Sequence, residues 1–529
     1  MSKFSKIPAW FLIFVLAYVL RLVYIVEISG QPYFSAPAVD AEYHDTWAQQ
    51  IAEGDFTFEE GPFFRAPLYP YFLGFLYFLT GHDYFMVRVI QALIGALSCV
   101  LIFKLGTRLF NERVGLIAGF VSACTGIFIY FEAELLIPVI LLPLDLAVIL
   151  SLLKARDRDR NLWWWLGGIF FGLSAIARPN ILITLPVIVV LIIAKTHLKR
   201  SAVRMVLVSL GIIIPILPVT YHNLMQGEFI PISTQGGVNF YIGNNAESDG
   251  ATAVFPGLTN IWRYEDAVEI AIEESGGDLS AGEVSDFYYR KGADFIFGQP
   301  AKWLNLMGRK VLLWFSRIEI SNNKNIYFSA GDSILLQMSM YNGFWLYGSL
   351  GILGFGIFYG RKFEYRIIVW FVILYSASVI LFFVTSRYRV PTLPYFIIFA
   401  AAAADHIYNL FRQQEYPGVK RLIPLYLPIL LLTSVNFLGV QKIARPYAHF
   451  SLGNAYQKKG QPESAEQEYL KALQADPAYK QVNLNLGVIY YDNEEYAKAE
   501  GHFLREIQLN PGFEAAFAYN NIGNIRVQQ

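Results

Sequence analysis

Apolar runs long enough to cross a bilayer recur along most of this chain, and they limit its fold more than any motif does. They fall near residues 8–28, 86–107, 114–131, 135–153, 162–177, 181–195, 205–222, 336–359, 366–384, 391–410 and 421–441. Runs of roughly 17–25 apolar residues span about 30 Å of hydrocarbon as helices, so length alone predicts about eleven spans. Backbone N–H and C=O groups in hydrocarbon must be satisfied within the segment, which makes each run a helix. Hydrophobic residues make up 55% of the 529 and charged residues only 16%, against about 25% charged in soluble domains. The expected fold class is an all-α polytopic membrane protein.

Basic residues orient the spans, because short cytoplasmic loops collect Lys and Arg. Lys104, Arg108 and Arg113, then Lys154 to Arg160, Lys195 to Arg204, Arg361, Lys362 and Arg366, and Arg412 to Arg421 occupy every second loop. The first run is too long for a signal-peptide core, and no small-residue cleavage site follows it. It reads as an uncleaved helix with a cytoplasmic start. Two long segments, 29–85 and 223–335, then face outward, and so does the tail. The second is rich in acids, with Glu265, Asp266, Glu269, Glu273 and Glu274. Residues 301–317, with Trp303, Arg309, Lys310 and Trp314, read as an amphipathic helix on the outer interface. A re-entrant hairpin around Arg178 would leave the later sidedness unchanged. The formal net charge of zero predicts no nucleic-acid partner. Cys99 and Cys124 lie inside apolar runs, with neither a disulfide framework nor zinc spacing.

Ionisable residues gather at the outward ends of these runs. Asp40, Glu42, Tyr43 and His44 follow the first span, and the Trp47, Ala48, Ile51 spacing predicts a helix lying along the membrane. A carboxylate there can accept a proton from a hydroxyl, hold a divalent cation such as Mg or Mn together with Glu42, or cap the helix. Arg65 precedes Pro67, Tyr69 and Pro70. Glu132 and Glu134 end the third run as a second acidic position or a solvated turn. Arg178, before Pro179 and Asn180, and Arg387, Tyr388 and Arg389, in a very short loop, either snorkel to the interface or bind phosphate through paired guanidinium hydrogen bonds. Arg21, inside the first span, reads as structural. After Gly236 and Gly237, which allow a tight turn, Asn239 and Tyr241 offer sugar contacts or belong to a polar turn.

The tail carries a repeat. Leu452, Gly453, Tyr456, Ala465, Tyr469, Ala472 and Pro477 recur as Leu486, Gly487, Tyr490, Ala499, Phe503 and Pro511, with Glu506 in place of an alanine and a third unit begun at Ile522-Gly523. The Gly and Pro spacing of 34 residues resembles the tetratricopeptide repeat. The tail, 445–529, is expected to form helical hairpins that either cap the fold or dock a protein partner.

An acidic residue after the first span, a lateral helix and the Arg65-Ala66-Pro67 element together resemble the GT-C glycosyltransferases. The nearest kind is the protein O-mannosyltransferase-like, dolichyl-phosphate-mannose branch. Glu134 and the Arg387-Tyr388-Arg389-x-Pro-x-x-Pro element agree with it. Asp40-Ala41-Glu42 stands where that superfamily has a DxD-like pair, whereas the branch often has adjacent Asp-Glu, and Lys-Pro-Pro where this chain has Arg-Ala-Pro. The resemblance implies a GT-C bundle over residues 1–444 and an inverting transferase in a bacterial-type inner membrane. Its donor would be a polyprenyl-phosphate monosaccharide and its acceptor a protein or glycan hydroxyl. It implies Asp40 as base, with Glu134 orienting the acceptor or helping to hold a cation. Arg387, Arg389, Arg178 and Arg65 would face the donor phosphate, and Glu42, His44, Tyr43, Asn239, Tyr241 and Tyr388 the substrates. Two other readings stand beside it: an O-antigen ligase or polymerase using a polyprenyl-pyrophosphate glycan, and a non-enzymatic repeat scaffold or transporter. No P-loop, HExxH or dinucleotide fingerprint is present.

Overall fold

The computed structural model describes residues 7–56, 61–194, 196–256, 262–442, 445–511 and 513–528, so Lys195 lies outside the described residues. Helix follows helix from Ala9 to Gln528, and no strand occurs among the described residues. Six helices are long and apolar enough to cross a membrane: Ala9–Ile28, Tyr84–Leu109, Pro138–Arg158, Leu198–Met225, Phe363–Ile380 and Ser386–Arg412. A seventh span is available if Glu112–Ala123 and Gly126–Ala133, bent by 54°, count as one. The chain is built as an integral membrane protein.

The eleven expected runs thus do not become eleven long helices. Gly, Pro and Asn residues divide several of them. Residues 336–359 form Ile334–Ser339 and Phe344–Phe358 on either side of Gly343. The pair around Arg178 becomes Asn161–Ala177, a short 3₁₀ turn Pro179–Thr184, and Leu185–Ile193. Small residues let the remaining helices touch at the backbone. A Cβ on Gly168 would stand 2.3 Å from the Val208 carbonyl oxygen, and one on Gly211 2.5 Å from that of Trp165. Without a hydrophobic force between helices in lipid, such close packing is what holds them together. Arg21 is paired with Glu132, both buried, and this ties Ala9–Ile28 to Gly126–Ala133.

The chain divides into two compact units. The larger comprises residues 1–27, 44–322 and 333–440; the other comprises 28–43, 323–332 and 441–529. The repeat unit is therefore wider than residues 445–529, because two loop segments join it through specific bonds. Tyr33 donates to Asp332 at 2.9 Å, Asn325 to the Lys442 carbonyl at 2.8 Å and Tyr447 to the Asn323 carbonyl at 2.5 Å.

Within this unit Arg445–Lys458 pairs with Pro462–Ala475, and Val482–Asp492 with Tyr496–Leu509. Gly453 and Gly487 are the close-approach points: a Cβ at either would lie within 2.5 Å of Tyr469 or Phe503, respectively. Phe513–Gln528 covers the end of the stack with Ala518, Ile522 and Ile525. Glu506 is buried where the first repeat has Ala472, and its carboxylate accepts the Gln481 backbone N–H at 2.8 Å.

Candidate functional site

Two groups of predicted residues come together in the larger unit. The first surrounds the break after Gly126–Ala133. Gln91 donates to the carbonyls of Glu132 (2.9 Å) and Glu134 (3.0 Å), Arg88 donates to that of Ala133 (2.8 Å), and His44 Nδ1 lies 3.0 Å from that of Leu135. Four consecutive carbonyls are thus held by three side chains from other helices. This fixes the backbone of Glu134, whose buried carboxylate acts electrostatically on Arg88 and Tyr69. Tyr69 completes the group, donating to Gln91 at 2.7 Å and meeting the His44 ring edge-on. His44, expected to face substrate, instead orients this segment.

The second group is cationic. Arg178 ends the Asn161–Ala177 helix, and its guanidinium carbon lies 3.5 Å from the centre of the Tyr388 ring. Arg387, buried, donates to the Tyr388 hydroxyl at 3.0 Å. Two guanidinium groups therefore share one tyrosine. Their sequence separation exceeds 200 residues, and the broken helices on both sides bring them together. Arg389 does not join them. It is 2% exposed, donates to the carbonyls of Trp314 (2.9 Å) and Ser316 (3.0 Å), and pairs with buried Glu319 at 2.7 Å. Expected at the donor phosphate, it is engaged in holding 314–319 against the short Ser386–Arg389 helix. Alternate residues of a helical turn point in different directions, which is why two arginines with one residue between them part company.

The 235–243 segment departs from its expected form. Gly236 and Gly237 lie inside the helix Gln235–Gly243 and make no tight turn. Gly237 is there because a Cβ would fall 1.8 Å from the Ser285 carbonyl oxygen of the adjacent Ala281–Gly298 helix. Tyr241 stacks on Tyr288 at 5.5 Å and belongs to an apolar cluster with Phe64, Val238 and Phe383. That is a packing role, and Tyr388 leans on the same cluster. Asn239 is half-buried on the same helix. Arg65, half-buried, follows Phe64, whose carbonyl accepts from Gln235 N–H at 3.0 Å. Lys310 is buried, donating to the Gly243 carbonyl at 2.6 Å, and burial pushes its ammonium down to about 7.

Asp40, Glu42 and Tyr43 belong to the second unit. Asp40 opens the helix Asp40–Glu53. The preceding residue, Val39, has a φ of 56°, a left-handed conformation that costs a β-branched residue about 1–3 kcal/mol. Such strain persists only where neighbours hold it. Glu42 pairs with Lys458 of the repeat at 2.6 Å, and Lys458 also donates to the Pro37 carbonyl at 3.3 Å. Desolvation, opposed by the Ser451 hydrogen bond and supported by the charges of Tyr479 and Asp40, pushes the Tyr447 phenol up to about 12. Asp40 thus has the repeat within electrostatic reach. Glu42 is thus engaged by a cationic side chain within its own unit. No group of three or more His, Cys, Asp or Glu able to hold a metal occurs among the described residues.

Sequence reading gave no role to Asp45, an acid of the same segment, which is buried and bonded by Tyr84, Gln49, His82 and Tyr77. It overlooked Asp145, a lone acid in an apolar run, a signal that was there to be read.

Comparison with known proteins agrees with the resemblance read from the motifs. Residues 64–222 match the family model described as dolichyl-phosphate-mannose-protein mannosyltransferase, and residues 450–512 match the tetratricopeptide repeat. No curated protein sequence matches the chain. Among solved structures, the Archaeoglobus fulgidus oligosaccharyltransferase in the apo form is similar at 14% identity and a TM-score of 0.45, over 89% of this chain and 60% of that one. ArnT from Cupriavidus metallidurans bound to undecaprenyl phosphate is similar at 14% identity and a TM-score of 0.42, over 97% and 78%. The chain therefore spans 60% of the length of the archaeal oligosaccharyltransferase.

Proposed function

We propose that this protein is a membrane glycosyltransferase that moves a monosaccharide from a polyprenyl-phosphate donor to a hydroxyl acceptor on the extracytoplasmic side. The observation that carries the reading is the pairing of Arg178 and Arg387 on Tyr388. A phosphate takes paired, charge-assisted hydrogen bonds from guanidinium groups, so two of them gathered at one tyrosine suit such an anion. The description of the family matched over residues 64–222, a dolichyl-phosphate-mannose-dependent transferase, supplies the class of anion.

In this reading Asp40 takes the proton of the acceptor hydroxyl as its oxygen attacks the anomeric carbon. The bond from that carbon to the phosphate oxygen breaks with inversion, and the lipid phosphate leaves with the electron pair. Arg387 and Arg178 stabilise the charge that develops on it. Arg65 adds a contact to the donor phosphate in this reading, and Glu134, on its stapled backbone, orients the acceptor. No step is routed through a cation. The link from Lys458 and Tyr447 to the Asp40 segment supports a repeat that forms part of the acceptor side, which suits a protein acceptor.

The test is transfer by the purified full-length chain in lipid nanodiscs, from a labelled polyprenyl-phosphate sugar to a panel of peptides and glycans. Transfer that disappears in Asp40→Asn and Arg387→Ala supports the reading. Transfer only from a diphosphate-linked glycan would favour the ligase reading instead. Wild-type transfer persisting in both variants would refute the assigned roles.

A further inference from the structure

We propose that Asp145 is a positioning residue that holds Arg178 ready for the donor phosphate; this rests on the phosphate reading of Arg178 given above. Asp145 stands in the apolar sequence Leu-Leu-Pro-Leu-Asp-Leu-Ala-Val and is fully buried in the Pro138–Arg158 helix. An ionisable side chain at such a place is costly and calls for a role. One carboxylate oxygen accepts from Ser174 Oγ at 2.5 Å, and the other has no hydrogen-bond partner. The hydroxyls of Tyr375 and Tyr395, both buried, also lack partners and lie within electrostatic reach of Asp145. The cation within reach is Arg178.

Ser174 makes the connection mechanical. Its hydroxyl is bound to Asp145, and its carbonyl accepts the Arg178 backbone N–H at 2.7 Å. Arg178 follows the last turn of its helix and has extended backbone angles, φ −157° and ψ 109°. Beyond the helix its Nε donates to Asn180 Oδ1 at a long 3.4 Å. Asp145 supplies two constraints: a serine that pins the helix end, and a carboxyl group within electrostatic reach of the guanidinium. With these in place the guanidinium rests on the Tyr388 ring before any phosphate arrives, so little reorganisation accompanies binding.

The experiment is a double-mutant cycle on the full-length protein in nanodiscs. It follows donor KM, kcat and the binding of a fluorescent polyprenyl phosphate for Asp145→Asn, Arg178→Ala and the pair. Loss of a supporting group behind a binding residue costs about 10-fold or more. The expected result in Asp145→Asn is a lowered kcat, as Arg178 loses its place at the departing phosphate, together with a donor KM raised about 10-fold. Arg178→Ala raises it at least as much, the pair shows no further loss, and Asp145→Glu restores part of the affinity. Equal effects of Asp145→Asn with and without Arg178, or no effect at all, would overturn the positioning role while leaving the phosphate reading intact. An Arg178→Ala variant with normal donor affinity would overturn both. If Asp145→Asn does not fold, Ser174→Ala carries the same test: weaker lipid-phosphate binding supports the proposal, and unchanged binding overturns it.

Discussion

The acidic segment Asp40–Tyr43 and the basic segment Ser386–Arg389 are held in opposite ways. The first starts a helix after a strained Val39 and is tied to its surroundings by a partly exposed ion pair between Glu42 and Lys458. The second is buried, with Arg389 bonded to two carbonyls and to Glu319. Exposed ion pairs contribute about 0–1 kcal/mol, whereas removing one partner of a buried pair costs about 3–5 kcal/mol. The acid is therefore supported through backbone geometry and the repeat, and the arginines through a rigid buried frame. On the function proposed above, the base would sit on the first of these elements and the groups that receive the leaving phosphate on the second.

Four substitutions probe this contrast. Asp40→Asn is expected to lower transfer about 100- to 10,000-fold, the usual contribution of a general base, with an unchanged melting temperature. Arg387→Ala is expected to lower kcat about 100-fold or more, the effect of removing a donor to developing charge, again without unfolding. Arg389→Ala, only two positions on, should instead destabilise the protein by about 3–5 kcal/mol by removing one partner of the buried pair with Glu319. A thermal melt separates the two arginines, and equal stability of both variants would remove the distinction. Lys458→Ala should cost less than about 1 kcal/mol, while the KM for a peptide acceptor rises.

A pH series adds a separate test of the buried frame. Lys310 ionises near 7 in the folded protein and at its ordinary 10.5 when unfolded. Between those values the unfolded chain binds the extra proton, so stability rises with pH from about 7 to 10.5 and falls as pH is lowered through that window. The slope contributed is at most about 1.4 kcal/mol per pH unit. Lys310→Met should flatten it, and an unchanged slope would show that another group is responsible.

Periodicity and length made the helices and the repeat legible in advance, because both are local properties of the chain. Gly453 and Gly487 mark the repeat through spacing alone, and the arginines at the ends of apolar runs announced themselves by their cost in hydrocarbon. What could not be read was which way each polar side chain turns. Arg387 and Arg389 look equivalent in sequence, as do Glu132 and Glu134. One member of each pair is absorbed by a buried partner, Glu319 or Arg21, contributed by a remote segment. Gly237 and Tyr241 looked like loop and sugar contacts, and both turned out to serve helix packing.

Hydropathy and repeat spacing were sufficient for an all-helical membrane protein with a tetratricopeptide tail, since hydrocarbon and the 34-residue repeat each admit few backbone solutions. The pairing of Arg178 with Arg387 over Tyr388, the buried carboxylate of Asp145 behind it, and the inclusion of the Asp40 segment in the repeat unit came from packing. Each joins residues remote in sequence, and such contacts depend on how broken helices meet, which no local pattern records.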